Sequence, residues 1–296
     1  MLSRLAAGAL LLAASAGASA GLPVFCQQSI DISAAEQDRV LRFAGVVKGE
    51  LERSGAGVAL IARAGLDLSR FGQLYSHAGV ALRDNPGGAW AVRQLYYACD
   101  ESRPRLFDQG VAGFALGADT PARGHVSLLF LPEQDGALLE QAALDRRLAL
   151  ALLAGQYSAN AYAYGTRYQN CNQWVAELLA SAWGRLAGQR PREDAQGWLR
   201  SQGYTAGPVK IPSHWMMFAG QFVPLVHVDD HPVEDLHALA LQVSVPASIE
   251  AFVRRQAPQT RRVELCHTAQ RIVVRRGWEP LGAACEAGPG DEVIGL

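Results

Sequence analysis

Lysine is nearly missing from this 296-residue chain: Lys48 and Lys210 are the only two, and arginine supplies the other cations. Acidic and basic residues almost cancel, to a formal charge of −1, so there is no electrostatic footprint for nucleic acid or an anionic membrane surface. No apolar run reaches the roughly 18 residues that a membrane-spanning helix needs. Also missing are a C-x-x-C pair, an H-E-x-x-H pair and, in the body of the chain, a G-x-S-x-G elbow or a phosphate-cradling glycine loop. Their absence counts against thioredoxin-type redox chemistry, zincin chemistry, serine hydrolysis and nucleotide binding. There is no internal repeat and no low-complexity tract.

What is present starts with "MLSRLAAGALLLAASAGASA", where Arg4 precedes a short apolar run that ends in small residues. This pattern predicts a secretory signal peptide over residues 1–20 and an exported, periplasmic protein with no membrane span. The remainder divides into a main domain over 21–215 and a small C-terminal α/β unit with a hairpin over 216–296. Five cysteines, at 26, 99, 171, 266 and 285, enter an oxidising compartment, and an odd number leaves one over. Cys266 and Cys285 bracket a predicted hairpin and are the first expected bridge, with Cys26 and Cys99 as the second. Cys171 is then the free thiol.

Ser33 and Glu36 form a capping box, and the apolar spacing that follows predicts a helix over 34–54. Strands are predicted over 57–65, 73–83, 89–99 and 125–132, with "DNPGG" turning the second into the third. A long helix is expected over 135–154. Next comes "YSANAYAYGTRYQ", an aromatic loop, and then a helix with Asn170 at its N-cap, Cys171 at its first position, Gln173 at its third and Gly184 at its stop. Shorter helices are expected near 192–202 and 246–255, and a hairpin over "RVELCHTAQRIVVRR". This order of elements gives an α+β fold.

A thiol is a weak nucleophile until it loses its proton, which in free cysteine happens near pH 8.5 or so. Two groups favour the thiolate: the N–H donors at a helix start and a nearby imidazole. Cys171 has the first by position. His77, within "QLYSHAGVALR", is the candidate for the second, with His125 as an alternative base. Counting across the hairpin from His77 reaches Gln94 as the residue that orients the imidazole, with Arg93 and Tyr97 as the adjacent alternatives.

"GVALIARAGLDLSRFGQLYSHAGVAL", followed by "YQNCNQWVAELL", resembles the circularly permuted papain-like superfamily of NlpC-type cysteine amidases and peptidases that includes lecithin retinol acyltransferase. Members share an "SHVGI"-like strand bearing the histidine and an "NC-x-x-(F/W)-V" helix start bearing the cysteine. The resemblance covers residues 57–184 and implies a papain-like core of antiparallel sheet packed on helices. It also implies a catalytic Cys171, His77 and Gln94 acting without a cofactor on a peptide, glycan or acyl substrate, with cell-envelope peptide as one target. Tyr157, Tyr162, Tyr164 and Tyr168 then fall in a loop that such proteins use as a cleft wall. The whole chain is also similar to an uncharacterised family of exported bacterial proteins, a domain of unknown function. A papain-like module that binds without catalysis is the alternative, and a redox thiol the third reading. "HVDDHPVEDLH" concentrates His227, Asp229, Asp230, His231, Asp235 and His237, but Pro232 interrupts it and no metal signature fits, so no metal site is expected.

Overall fold

A computed structural model describes residues 32–117 and 122–296. The expected signal segment and Cys26 lie outside the described residues. Helix α1 (Ala34–Arg53) starts at Ser33, and the Ser33–Glu36 capping box forms as expected. Strands β1 (Val58–Arg63), β2 (His77–Leu82) and β3 (Ala91–Ala98) form an antiparallel run. The chain then adds β4 (Arg103–Gln109), which was not expected because "RPRLFDQ" is charged and carries Pro104. Its place explains the composition: among the described residues β4 ends the sheet and pairs only with β3, so it tolerates proline and charge. Helix α2 (Val111–Leu116) and strand β5 (Gly124–Phe130) follow.

The helix expected over 135–154 is two helices, α3 (Glu133–Leu144) and α4 (Arg146–Ala151). Asp145 divides them. Its backbone is extended, at ψ 98°, and its carboxylate accepts from the N–H groups of Arg147 and Leu148. An aspartate that caps a new helix competes with continuation of the old one. The remaining elements are α5 (Cys171–Trp183), α6 (Pro191–Ser201), β6 (Gly207–Lys210), α7 (His214–Gly220), α8 (Val233–Ala238), β7 (Ala240–Val243), α9 (Pro246–Gln256), β8 (Arg261–His267), β9 (Arg271–Arg276) and β10 (Glu292–Gly295).

The fold is α+β. Eight antiparallel strands run in the order β10-β9-β8-β5-β1-β2-β3-β4, and β6 and β7 form a separate ribbon. Alternation along the central strands splits the core into two layers. Val58, Leu60, Val80 and Leu95 face α3, α5 and α9, whereas Ala59, Ile61, Ala81 and Val92 face α1 and α2. The hairpin of β8 and β9 forms as expected and joins the sheet through β5. Among the described residues no helix is long and apolar enough to cross a membrane. Cys266 and Cys285 are bridged, Cys99 is disulfide-bonded, and Cys171 is a buried free thiol.

Twelve of the thirteen residues of α5 are buried, including the mid-helix carboxylate Glu177. Glu177 accepts from Gln169, Gln196 and the guanidinium of Arg192. Arg192 in turn donates to the carbonyls of Gly165, Thr166 and Tyr168. A buried charge pair is tolerable only when its remaining hydrogen bonds are made, and here they fasten the loop that delivers Cys171.

Candidate active site

Asn170 is the N-cap of α5. Its Oδ1 accepts from Gln173 N–H at 2.7 Å, and its Nδ2 donates to the carbonyls of Ala159 and Ser244. One side chain therefore fixes the helix start, the aromatic loop and the end of β7 together. Cys171 follows at the first helical position, only 6 % exposed. The backbone N–H groups of Ala78, Asn172 and Cys171 favour its thiolate form. The β2–β3 ladder ends at Val80↔Arg93 and leaves the first residues of β2, Ala78 among them, without strand partners on that side. Asn172 ties the same corner from its other end, donating to Ser76 O at 3.1 Å.

His77 is the first residue of β2. Its Nε2 lies 2.7 Å from Gln94 Oε1. An amide oxygen only accepts, so Nε2 carries the hydrogen and Nδ1 is the basic nitrogen. Gln94 is fully buried, and its amide is held the right way round by a 2.9 Å donation to Gln109 Oε1. Gly79 allows β3 this close, because a Cβ there would sit 2.6 Å from Val92 Cγ1 and 3.0 Å from Arg93 O. The imidazole packs against Tyr96 and Phe114, ring centroids 4.9 and 5.9 Å away. Beside it Arg63 reaches Tyr96 Oη at 2.7 Å, donates to Gly117 O and lies over the Phe114 ring.

The structure thus joins His77 to Gln94 by a hydrogen bond and brings the sulfur to the main chain of Ala78, the next residue after His77. Among the described residues no hydrogen bond links the sulfur to the imidazole, and Nδ1 makes none. Burial pushes the Cys171 thiol up to about 11, against the opposing pull of the Ala78 N–H and the Arg63 charge. Burial likewise holds His77 down, to about 3, and Arg63 acts in the same direction. The helix start supplies the N–H donors expected of it, but loss of water outweighs them. At neutral pH the site holds a thiol and a neutral imidazole.

Cys171 and Asn172 open onto a chamber of about 450 Å³. Its walls come from four separated stretches: the β1–β2 connection with Leu68 and Phe71, the start of the aromatic loop, α7 with the turn after it, and the β6–β7 ribbon with Leu241.

The family described as "uncharacterized protein conserved in bacteria (DUF2145)" matches residues 50–253. The chain belongs to this family. No curated protein and no solved structure matches the chain. The DUF2145 match takes in His77, Gln94, Cys171 and every wall of the chamber, and leaves out β8–β10 and the Cys266–Cys285 bridge.

Within the family region the other expected residues scatter. Of the four loop tyrosines only Tyr157 lines the chamber. Tyr164 donates to Tyr204 O, Tyr168 stacks on His227, and Tyr162 packs against His231. Arg93 pairs with Asp108, and Tyr97 lies against Tyr157. His125 is hydrogen-bonded to Gly282 O. The acidic histidine-rich stretch braces the aromatic loop: Asp230 accepts from Tyr162 N–H, His231 Nε2 donates to Asn160 O, and Asp229 pairs with Arg167. Arg63 and Gln109 were not anticipated. A lone arginine on an apolar strand and a glutamine on an unrecognised edge strand leave little trace in sequence.

Proposed function

We propose that the chain is a thiol-dependent acyl transferase or hydrolase of papain-like type, exported to the periplasm. Cys171 Sγ attacks a carbonyl carbon, and its proton passes to His77 Nδ1 as the S–C bond forms. The Cys171 N–H and the Asn172 side chain are the donors for the developing oxyanion. His77 returns the proton to the leaving nitrogen or oxygen as its bond to carbon breaks, and water or an amine then resolves the thioester. Gln94 keeps the proton on Nε2 throughout, which leaves Nδ1 as the base. The observations that carry this reading are the 2.7 Å His77–Gln94 bond and a buried free cysteine at a helix start, whose neighbour Asn172 donates to Ser76 O, one residue before His77. The resemblance to NlpC-type enzymes points the same way.

The neutral resting state favours a second reading, a papain-like module that binds its ligand without turnover. Acyl-enzyme formation separates the two. Incubation with a p-nitrophenyl acyl ester is expected to add one acyl mass at Cys171, none in Cys171→Ala, and to be slowed by about 10²-fold or more in His77→Ala. Equal acylation of wild type and His77→Ala sinks the catalytic reading. Alkylation of Cys171 by iodoacetamide should keep accelerating well above pH 9, because the thiol is held near 11.

A further inference from the structure

The chamber wall is chemically one-sided. Among the described residues no aspartate, glutamate, lysine, arginine or histidine lines it, and aliphatic, Met and Phe side chains make most of its surface. A peptide or glycan buried there would meet few polar side chains, Gln73, Ser76, Asn160 and Asn172 among them, and each amide or hydroxyl left over would cost on the order of 1–3 kcal/mol. A carboxylated wall fragment would find no cation. An aliphatic chain has no such groups to satisfy, and about 450 Å³ lies within the usual range of ligand chambers.

The outer wall has a second anomaly. Met216 and Met217 of α7 line the chamber, while Trp215, Phe218 and Phe222 point away from it with 73, 49 and 74 % of their surface exposed. Their rings touch in sequence, with centroids 5.7 and 5.3 Å apart. The stretch "IPSHWMMFAGQFVPLV", 211–226, contains no Asp, Glu, Lys or Arg. A patch without charge offers nothing to a charged partner, whereas Trp and Phe suit the boundary between lipid headgroups and acyl chains. This short helix and the turn after it are thus apolar on both sides, with the chamber inside and the aromatic trio outside.

We propose that the chamber takes the aliphatic chain of a bilayer lipid, and that Trp215 and Phe218 of α7 with Phe222 of the turn after it rest on the bilayer while the chain passes inward toward Cys171. As a substrate assignment this rests on the acyl-transfer reading; as a binding site it does not.

The test uses the full chain and its Cys171→Ser variant, which removes turnover. cis-Parinaric acid should bind both saturably, with the same affinity within roughly twofold, and Ala219→Trp should weaken it about tenfold or more by filling the chamber from an exposed lining position. Vesicles of uncharged phosphatidylcholine should carry the protein in flotation. Trp215→Ser with Phe222→Ser should reduce that partition roughly tenfold or more, and raising salt from about 0.1 to 1 M should not. Both altered residues are exposed, so the double variant keeps its circular dichroism and melting temperature. Absence of saturable parinaric acid binding, or flotation that the double variant leaves unchanged, overturns the proposal. Chain binding without any acyl-enzyme would remove the catalytic reading alone. Acyl-enzyme from short esters without chain binding would remove this one alone.

Discussion

Two buried polar clusters flank α5, one built around Glu177 and the other around His77, and they treat their hydrogen-bonding capacity differently. At Glu177 the carboxylate collects donations from three side chains, and Arg192 spends its remaining N–H groups on three carbonyls. At His77 the one hydrogen bond runs through Nε2 to Gln94 and is relayed to Gln109, Cys171 is a free thiol, and the buried Asn172 Oδ1 has no partner among the described residues. A saturated cluster is stability; atoms left without partners, those of Cys171 and Asn172 at the chamber wall among them, are capacity held for something else. The same helix therefore carries a fastening at its middle and a reactive corner at its start.

The contrast is broken most directly at the fastening. Arg192→Leu strands a carboxylate that is fully buried, and removing one partner of such a pair costs about 3–5 kcal/mol. Chemical denaturation should show that loss; a cost below about 1 kcal/mol would mean that Glu177 escapes its burial and that the two clusters are not different in kind. Gly79→Ala tests the corner. Its Cβ has no room against Val92 and the Arg93 carbonyl, so β3 must retreat at an overpacking cost of about 1–3 kcal/mol. Gln94 moves with β3, and the acylation rate at Cys171 should fall further than the stability loss explains. An alanine variant of unchanged stability and rate would show that the close approach is incidental.

Much of this corner was legible from residues alone. Asn170 and Gln173 announced the start of α5 because capping chemistry is local, and Gln94 was reached by counting across a hairpin whose turn was readable. What failed was non-local. β4 is held by its edge position rather than its composition, so Gln109 could not be assigned a neighbour. Asp145 reads as one more polar residue on a helix until its backbone is seen to turn and cap. The chamber was invisible because its walls come from four stretches spread over residues 66–245, and nothing in the aromatic loop distinguishes Tyr157, which reaches it, from Tyr162, Tyr164 and Tyr168, which do not.

The sharpest difference between the clusters is their response to acid. His77 in the unfolded chain titrates near 6.5, but in the fold burial holds it to about 3. Between those values the unfolded state binds a proton that the native state refuses, so stability must fall as pH is lowered through this window, by about 1.4 kcal/mol per pH unit for this one group. His125 and His267 are also lowered by burial and add to the slope, so the total does not isolate His77. The difference between wild type and His77→Gln does: glutamine cannot take up the proton in either state, and its denaturation midpoint should decline less steeply between pH 6.5 and about 4. Equal slopes would mean that water reaches the imidazole in the native state. The site would then be wet, and the burial that keeps Cys171 and His77 both neutral would lose its cause.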